Sequence, residues 1–308
     1  MYETVRIVGK LRPKYVVWEN VKNVLSKKHK HNFDNYLNAM ASLGYKNYYQ
    51  VLNAKDYGVP QNRERVFTIS IRNDIKKEFI FPPKQELYLR LKDMLEDEVE
   101  EKYYLSQKLI DCFSSNGTGK YPRGERFRKN INRKNQEVAN SIITTEGNKP
   151  TCNFIKINNA TKQGYQEAYE GDSVNLSYPN STTRRGRVGN QVAQTLQCND
   201  RIGVIIKKDT PNYIEWEQKG KMQHECRAYK EEKYSGSLLS NNKNKVLITD
   251  LKIRKLTPRE CFRLMGFTDS EFDKASVGIS NTQLYKMAGN SIVVNVLVEI
   301  FRNLFKDT

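Results

Sequence analysis

Four groups of residues in this chain are of types that do chemistry. The first is Gln61-Asn62-Arg63-Glu64-Arg65, set between the turn Gly58-Val59-Pro60 and the β-rich run Val66-Phe67-Thr68-Ile69-Ser70-Ile71. Side chains alternate along a strand, so Gln61, Arg63 and Arg65 share one face while Asn62 and Glu64 take the other. Two guanidiniums and an amide then stand at the mouth of a strand. A basic strand start with salt-bridged surface arginines has the same pattern. The second group is Glu19-Asn20, at the end of the run Tyr15-Val16-Val17-Trp18. Ligands of open α/β sheets bind beyond the carboxyl ends of strands, although a helix or loop cap also suits these residues. The third is Thr182-Thr183-Arg184-Arg185-Gly186-Arg187-Val188-Gly189. Arginine reads phosphates and guanine edges, and glycine lets backbone come close to a partner. An exposed basic loop looks the same. The fourth is Gly289-Asn290-Ser291, read as the start of a last helix. That makes it an anion- or ligand-friendly N-terminus, or an ordinary cap.

The elements that position these groups follow from hydrophobic period. Tyr2 to Leu11 reads as a basic amphipathic helix with Val5, Val8 and Leu11 on one stripe, stopped by Pro13. Lys14 to Val21 is nearly continuously apolar, as in a strand buried on both faces of a parallel sheet. Phe33, Tyr36, Leu37, Met40 and Leu43 recur at helical spacing, with Gly44 at the C′ position. Lys46–Leu52 and Arg65–Arg72 read as two more strands. Residues 1–84 are thus part of an α/β domain.

From about 85 to 250 the chain is rich in Asn, Lys, Tyr, Thr and Gly, with short β-like pieces. Three of these read as hairpins: Ala139–Ile143 with Phe154-Ile155, Ala193–Leu196 with Gly203–Ile206, and Ser235–Leu239 with Val246–Ile248. Residues 251–308 are helical again. Thr257-Pro258-Arg259-Glu260 is a capping box with Pro at the first helical position, opening a helix that stops at Gly266. Ser280-Asn281-Thr282-Gln283 is a second box. Ile292, Val296, Ile300 and Leu304 form the stripe of the last helix.

Composition narrows the partner. The 308 residues carry a formal net charge of +17, which favours a polyanion. The five cysteines, Cys112, Cys152, Cys198, Cys226 and Cys261, are odd in number and contain no Cys-x-x-Cys, the usage of a reduced, cytoplasmic protein. No signal peptide opens the chain, and no apolar run approaches the ~18 residues of a membrane span, so no membrane is expected. His224-Glu225-Cys226 is the only His/Cys proximity, and no metal site is expected there.

Taken in order, the pieces resemble a DNA (cytosine-5)-methyltransferase from its sixth motif onward. The matches are Pro13-Lys14 leading to Glu19-Asn20-Val21, then Gln61-Asn62-Arg63-Glu64-Arg65. Next come Arg254-Lys255-Leu256-Thr257-Pro258-Arg259-Glu260 with Arg263-Leu264-Met265-Gly266-Phe267, and last Gly289-Asn290-Ser291. The resemblance implies the C-terminal part of a Rossmann-like methyltransferase domain, with residues 85–250 as a smaller, mostly β target-recognition domain. It also implies S-adenosylmethionine as methyl donor, double-stranded DNA as partner, and a bacterial or phage-infected cell.

Carbon 5 of cytosine becomes a nucleophile only after a thiolate adds at carbon 6 and a proton donor serves N3. The resemblance gives N3 and the exocyclic amine to Glu19, whose pKa burial would raise. It gives O2 to Arg65, orientation of the site to Arg63 and Gln61, and part of the donor pocket to Asn290 and Ser291. Gln61, Arg184, Arg185, Arg187, Thr195 and Leu196 are the expected DNA-contacting residues, Thr195-Leu196 being similar to a Thr-Leu pair the family keeps. The family also carries a glycine-rich Phe-x-Gly-x-Gly loop and a Pro-Cys nucleophile, and neither occurs in these 308 residues. The expectation is therefore a base-holding piece that works with a second chain carrying the missing motifs. The alternatives are an inactive DNA-binding module or a gene remnant.

Overall fold

The first helix ends where its backbone turns left-handed, and the first strand starts just beyond. Tyr2–Leu11 forms α1, and Arg12 caps it at φ 48°; Pro13 then has no amide with which to continue a helix. The computed structural model describes residues 1–106, 109–110, 113, 154–179, 181, 183–207, 212–218, 226–231, 245–248 and 251–306. Their contacts divide them into two units. The first holds Met1–Leu95, Val192–Asn199 and Pro258–Thr308, and the second Glu96–Gln191 and Asp200–Thr257.

In the first unit Tyr15–Val21 is β1, Lys30–Ser42 α2, Tyr45–Asn53 β2, Gln61–Asn62 β3 and Glu64–Arg72 β4. The sheet order is β1-β4-β2, and both pairings are antiparallel. This corrects the parallel setting expected for β1. Its residues are also mostly half-buried rather than enclosed on both faces. Register explains the difference: Trp18 sits opposite Thr68 and turns to one face, while Glu19 sits opposite Phe67 and turns to the other. The Trp18 face is covered by the helices. Trp18 stacks on Tyr36 at 4.8 Å and on Phe33 at 5.9 Å, in a core with Val8, Val24, Met40 and Val66. Of the α1 stripe, Val5 and Val8 join this core, whereas Leu11 in the last turn is 70% exposed. The second edge of β1 carries no strand among the described residues.

The helical end of the chain completes this unit. Pro258–Arg263 is α3, Asp269–Ser276 α4, Asn281–Asn290 α5 and Val294–Leu304 α6. A full capping box forms at Thr268 and Glu271, where none was expected; at Ser280 only the serine side chain caps, accepting from Gln283 N. The stretch Asn281–Leu304 is long and apolar enough to cross a membrane by length and composition, contrary to the sequence reading. It is two helices, however, interrupted at Ser291–Val293, and Leu284, Tyr285, Ala288, Val296, Ile300 and Leu304 are buried.

The second unit is built from short strands. Phe154–Asn158 (β5) pairs with Tyr165–Tyr169 (β6). Ser173–Asn175 (β7) lies between Val188–Gly189 (β8) and Ile202–Lys207 (β10), and β10 pairs in turn with Leu251–Lys255 (β14). Asn212–Gln218 (β11) pairs with Cys226–Glu231 (β12) and Lys245–Ile248 (β13). Its core gathers Phe113, Ile157, Ala168, Val174, Val188, Ile205 and Ile253. The expected hairpin of Ala193–Leu196 with Gly203–Ile206 does not form. Instead Ala193–Gln194 (β9) runs parallel to β3 in the first unit. Residues 139–143 and 235–239 of the other two expected hairpins lie outside the described residues.

Phe33 is fully buried between Trp18, Tyr36 and Tyr49. Phe33→Ala should therefore lower unfolding free energy by roughly 3–5 kcal/mol. The check is the urea midpoint by circular dichroism, and a midpoint equal to wild type would disprove this packing.

Candidate active site

The β1–β4 register brings one carboxylate and one guanidinium together. Glu19 pairs with Phe67 and Val21 with Arg65, so Glu19 and Arg65 are diagonal neighbours on one face. Arg65 Nε lies 3.0 Å from Glu19 Oε1, with the two side chains 16% and 17% exposed. Arg65 also donates Nη1 to Glu64 O at 2.9 Å. Burial raises the Glu19 carboxyl above its usual range, against the pull of Arg65 and then Arg63. Desolvation wins here because a half-enclosed carboxylate loses more hydration than the neighbouring cations return. Glu19, Arg63 and Arg65 line one cleft with Leu52, Phe67 and Val293. The cleft thus offers apolar walls, one carboxyl held toward its protonated form, and guanidinium donors.

Arg63 is 4% exposed and acts as a tie. Its Nη1 donates to Leu196 O at 3.2 Å, and its Nη2 to Gly289 O and Ser291 O, both at 2.9 Å. Burial, with help from Arg65, lowers its pKa to about 10. It still carries its charge at neutral pH. The turn around it is fixed by Asn53, whose Oδ1 accepts from Arg63 N at 3.0 Å.

The expected DNA contacts divide into exposed and buried ones. Gln61 is fully buried and donates Nε2 to Leu264 O at 3.1 Å; it braces α3 and cannot meet DNA from there. Thr195 donates Oγ1 to Asn62 O at 2.7 Å, next to the β3–β9 pairing. Leu196 is 4% exposed, so it contributes packing and a carbonyl for Arg63. Arg187 is also fully buried. Its guanidinium donates to the carbonyls of Asn175, Ser177 and Tyr178 and lies over the Phe113 ring. Burial lowers its pKa from the ordinary arginine value. It is a strut inside the second unit, not a surface reader. Arg184 and Arg185 do reach the surface, and Arg185 Nε donates to Ala160 O at 3.0 Å.

Asn290 and Ser291 do not open a helix. Asn290 is the last residue of α5 and Ser291 its C-cap, with Ser291 Oγ donating to Met287 O at 2.8 Å. The helix runs through Gly289 because that position allows a close approach. A Cβ there would come within 2.6 Å of the Gln197 carbonyl and 2.7 Å of Cys198 N. The same contact sets Cys198, whose thiol donates to Asn290 Oδ1 at 2.9 Å. Sequence reasoning missed Cys198 and the cleft walls at Leu52, Phe67 and Val293. The alternation along β4 that puts Phe67 on the face of Arg65 was a signal for the Phe67 wall alone. The residues of His224-Glu225-Cys226 fall outside those whose side chains are described.

Residues 1–306 match the profile of the C-5 cytosine-specific DNA methylases. The chain belongs to that family. The chain is 31% identical over 316 residues to the type II methyltransferase M2.ScrFI of Lactococcus lactis subsp. cremoris, covering 99% of this chain and 58% of that one. It therefore spans little more than half the length of that relative. It is 30% identical over 352 residues to the orphan methyltransferase M.SPRI of Bacillus phage SPR, covering 98% and 75%. A solved DNMT2 of Spodoptera frugiperda shares the fold at a TM-score of 0.51 and 16% identity, over 99% of this chain and 70% of that one. The mixed α/β arrangement is thus that of a methyltransferase. The C-5 methylase family uses S-adenosylmethionine, and its members act on DNA.

Two predictions follow from this geometry. Gly289→Ala forces its new carbon onto the Gln197 backbone, and should cost about 1–3 kcal/mol of stability in urea; an unchanged midpoint would refute the close approach. The second concerns pH. Glu19 binds its proton more tightly in the folded chain than at its ordinary 4.5. Its contribution to stability is therefore present in full below that value and lost as pH rises through the raised one. Glu19→Gln removes that dependence, so relative to wild type the variant should gain stability as pH rises from 4.5 through the raised value. A difference flat across that range would show that the carboxyl is not shifted.

Proposed function

We propose that this chain supplies the base-holding and DNA-recognising residues of a DNA cytosine-5 methyltransferase that works on double-stranded DNA. The observation that carries this reading is the Glu19–Arg65 pair, 3.0 Å apart at an apolar-walled cleft. A base buried in a duplex cannot reach such a cleft, so the target cytosine is flipped out, at a cost of a few kcal/mol. Glu19, with its raised proton affinity, would hold a proton at N3 and accept from the exocyclic amine. Arg65 would donate to O2. Arg63, committed to three carbonyls, is a positioning residue.

Protonation at N3 draws electrons from the ring and opens carbon 6 to a thiolate; the resulting enamine makes carbon 5 nucleophilic. None of the five cysteines follows a proline. We assign the thiolate to a Pro-Cys segment outside these 308 residues, on the same polypeptide or on a second chain. S-adenosylmethionine would supply the methyl group. Asn290 and Ser291, at the end of α5, are proposed to line one edge of that cofactor's pocket. The remaining contacts we assign to the segment that carries the thiolate. In the second unit, Arg184 and Arg185 are the proposed DNA-facing cations. A bacterial or phage-infected cytoplasm is the proposed setting.

The test is transfer of labelled methyl to duplex DNA. This chain alone should transfer none. Together with a family segment bearing the glycine-rich loop and Pro-Cys it should transfer methyl, and Glu19→Gln or Arg65→Ala should cut the rate by about 10²–10⁴. Turnover by the purified chain alone would overturn the assignment of the nucleophile.

A further inference from the structure

Tyr178 is the most conspicuous residue of the second unit that the base-holding site does not use. It is 66% exposed, and its backbone is left-handed at φ 50°, a conformation that a residue with a Cβ adopts only when its surroundings impose it. They do impose it. The Tyr178 carbonyl accepts from Arg187 Nη2 at 2.6 Å and from Ser181 N at 3.0 Å. Arg187 is itself buried and holds the Asn175 and Ser177 carbonyls as well. Ser177 N donates to Asn175 Oδ1 at 2.9 Å, and Leu176 N to Arg201 O at 2.8 Å. Two guanidiniums lie over the exposed ring, those of Arg184 at 5.8 Å and Arg201 at 5.6 Å. Arg184 is anchored through its own carbonyl, which accepts from Ala160 N at 2.8 Å.

A lone exposed tyrosine needs no explanation. Here a buried cation, a strained backbone and two surface cations converge on one. An aromatic face beside guanidiniums is the chemistry that takes a base by stacking and its phosphates by charge. We propose that Tyr178, with Arg184 and Arg201 over its ring, is a DNA contact of the second unit, the ring packing against a nucleotide and the guanidiniums pairing with the phosphates beside it. In this arrangement Arg187, which the sequence offered as a reader, works from inside by fixing the carbonyl of the residue that reads. The inference rests on the reading that this unit recognises DNA.

The experiment selects a bound duplex from a pool with a randomised centre, using the full chain, and then measures variants on it at several salt concentrations. Tyr178→Gly should weaken binding about tenfold with the salt slope unchanged, since stacking carries no charge. Its melting temperature should stay level or rise, because glycine accepts the left-handed backbone. Tyr178→Phe should bind as wild type does. Arg201→Ala should weaken binding and reduce the slope of log affinity against log salt by about 0.9, whereas Lys207→Ala, an exposed lysine at the end of β10 away from Arg201, should do neither. If Tyr178→Gly binds the selected duplex as tightly as wild type, the inference is overturned while the DNA-reading role of the unit stands. If the wild-type chain enriches no duplex, both fall.

Discussion

Arg63 is the interaction on which the first unit depends. A guanidinium has five donors in a fixed plane and no acceptor, so when buried it must be met by oxygens from several directions. It meets Leu196, Gly289 and Ser291, 133, 226 and 228 residues away in sequence. Each of those carbonyls would otherwise need a partner of its own. The tie brings the end of α5, the segment Val192–Asn199 and the start of β4 to one point, and that point is a wall of the cleft that contains Glu19 and Arg65. A lysine could carry the charge but could not span three carbonyls in one plane.

Electrostatics then follow from how much water this packing removes. Arg63 and Glu19 are both pushed toward their neutral forms by burial, in opposite pKa directions. Arg63 stays charged because its shift leaves it far above neutral pH. Glu19 starts near acid pH, so the same physical cause moves it toward the range where proton exchange is useful. The Arg65 partner limits that rise and holds the carboxyl in one orientation.

Much of the local structure was legible in the sequence. The spacing of Phe33, Tyr36 and Met40 with Gly44 gave α2 almost to its ends, and the runs Lys46–Leu52 and Arg65–Arg72 matched β2 and β4 within a residue. The motif order brought Glu19 and Arg65 into one site before any strand was paired. What could not be read was direction and burial. A continuous apolar run cannot say whether its neighbour runs parallel, so β1 was misassigned. Arginines among glycines look alike whether their donors face water or carbonyls, and Arg187 and Gln61 proved to be internal. The pairing of β3 with β9 is a long-range contact with no local signature. Gly289-Asn290-Ser291 reads equally as a helix end or a helix start, and the deciding fact, the approach of Gln197, lies elsewhere in the chain.

That approach has an architectural consequence. Between two stretches of the second unit the chain returns to the first for eight residues, Val192–Asn199. There it is pinned by the β3–β9 pairing, by Arg63 on the Leu196 carbonyl, and by the bare face of Gly289. These contacts use backbone atoms, so they constrain the path of the chain more than its side chains. The sequences on either side, 96–191 and 200–257, can diverge or be exchanged as long as they re-enter this seam with the same backbone. The seam is therefore where a chimaera that exchanges the second unit should be joined.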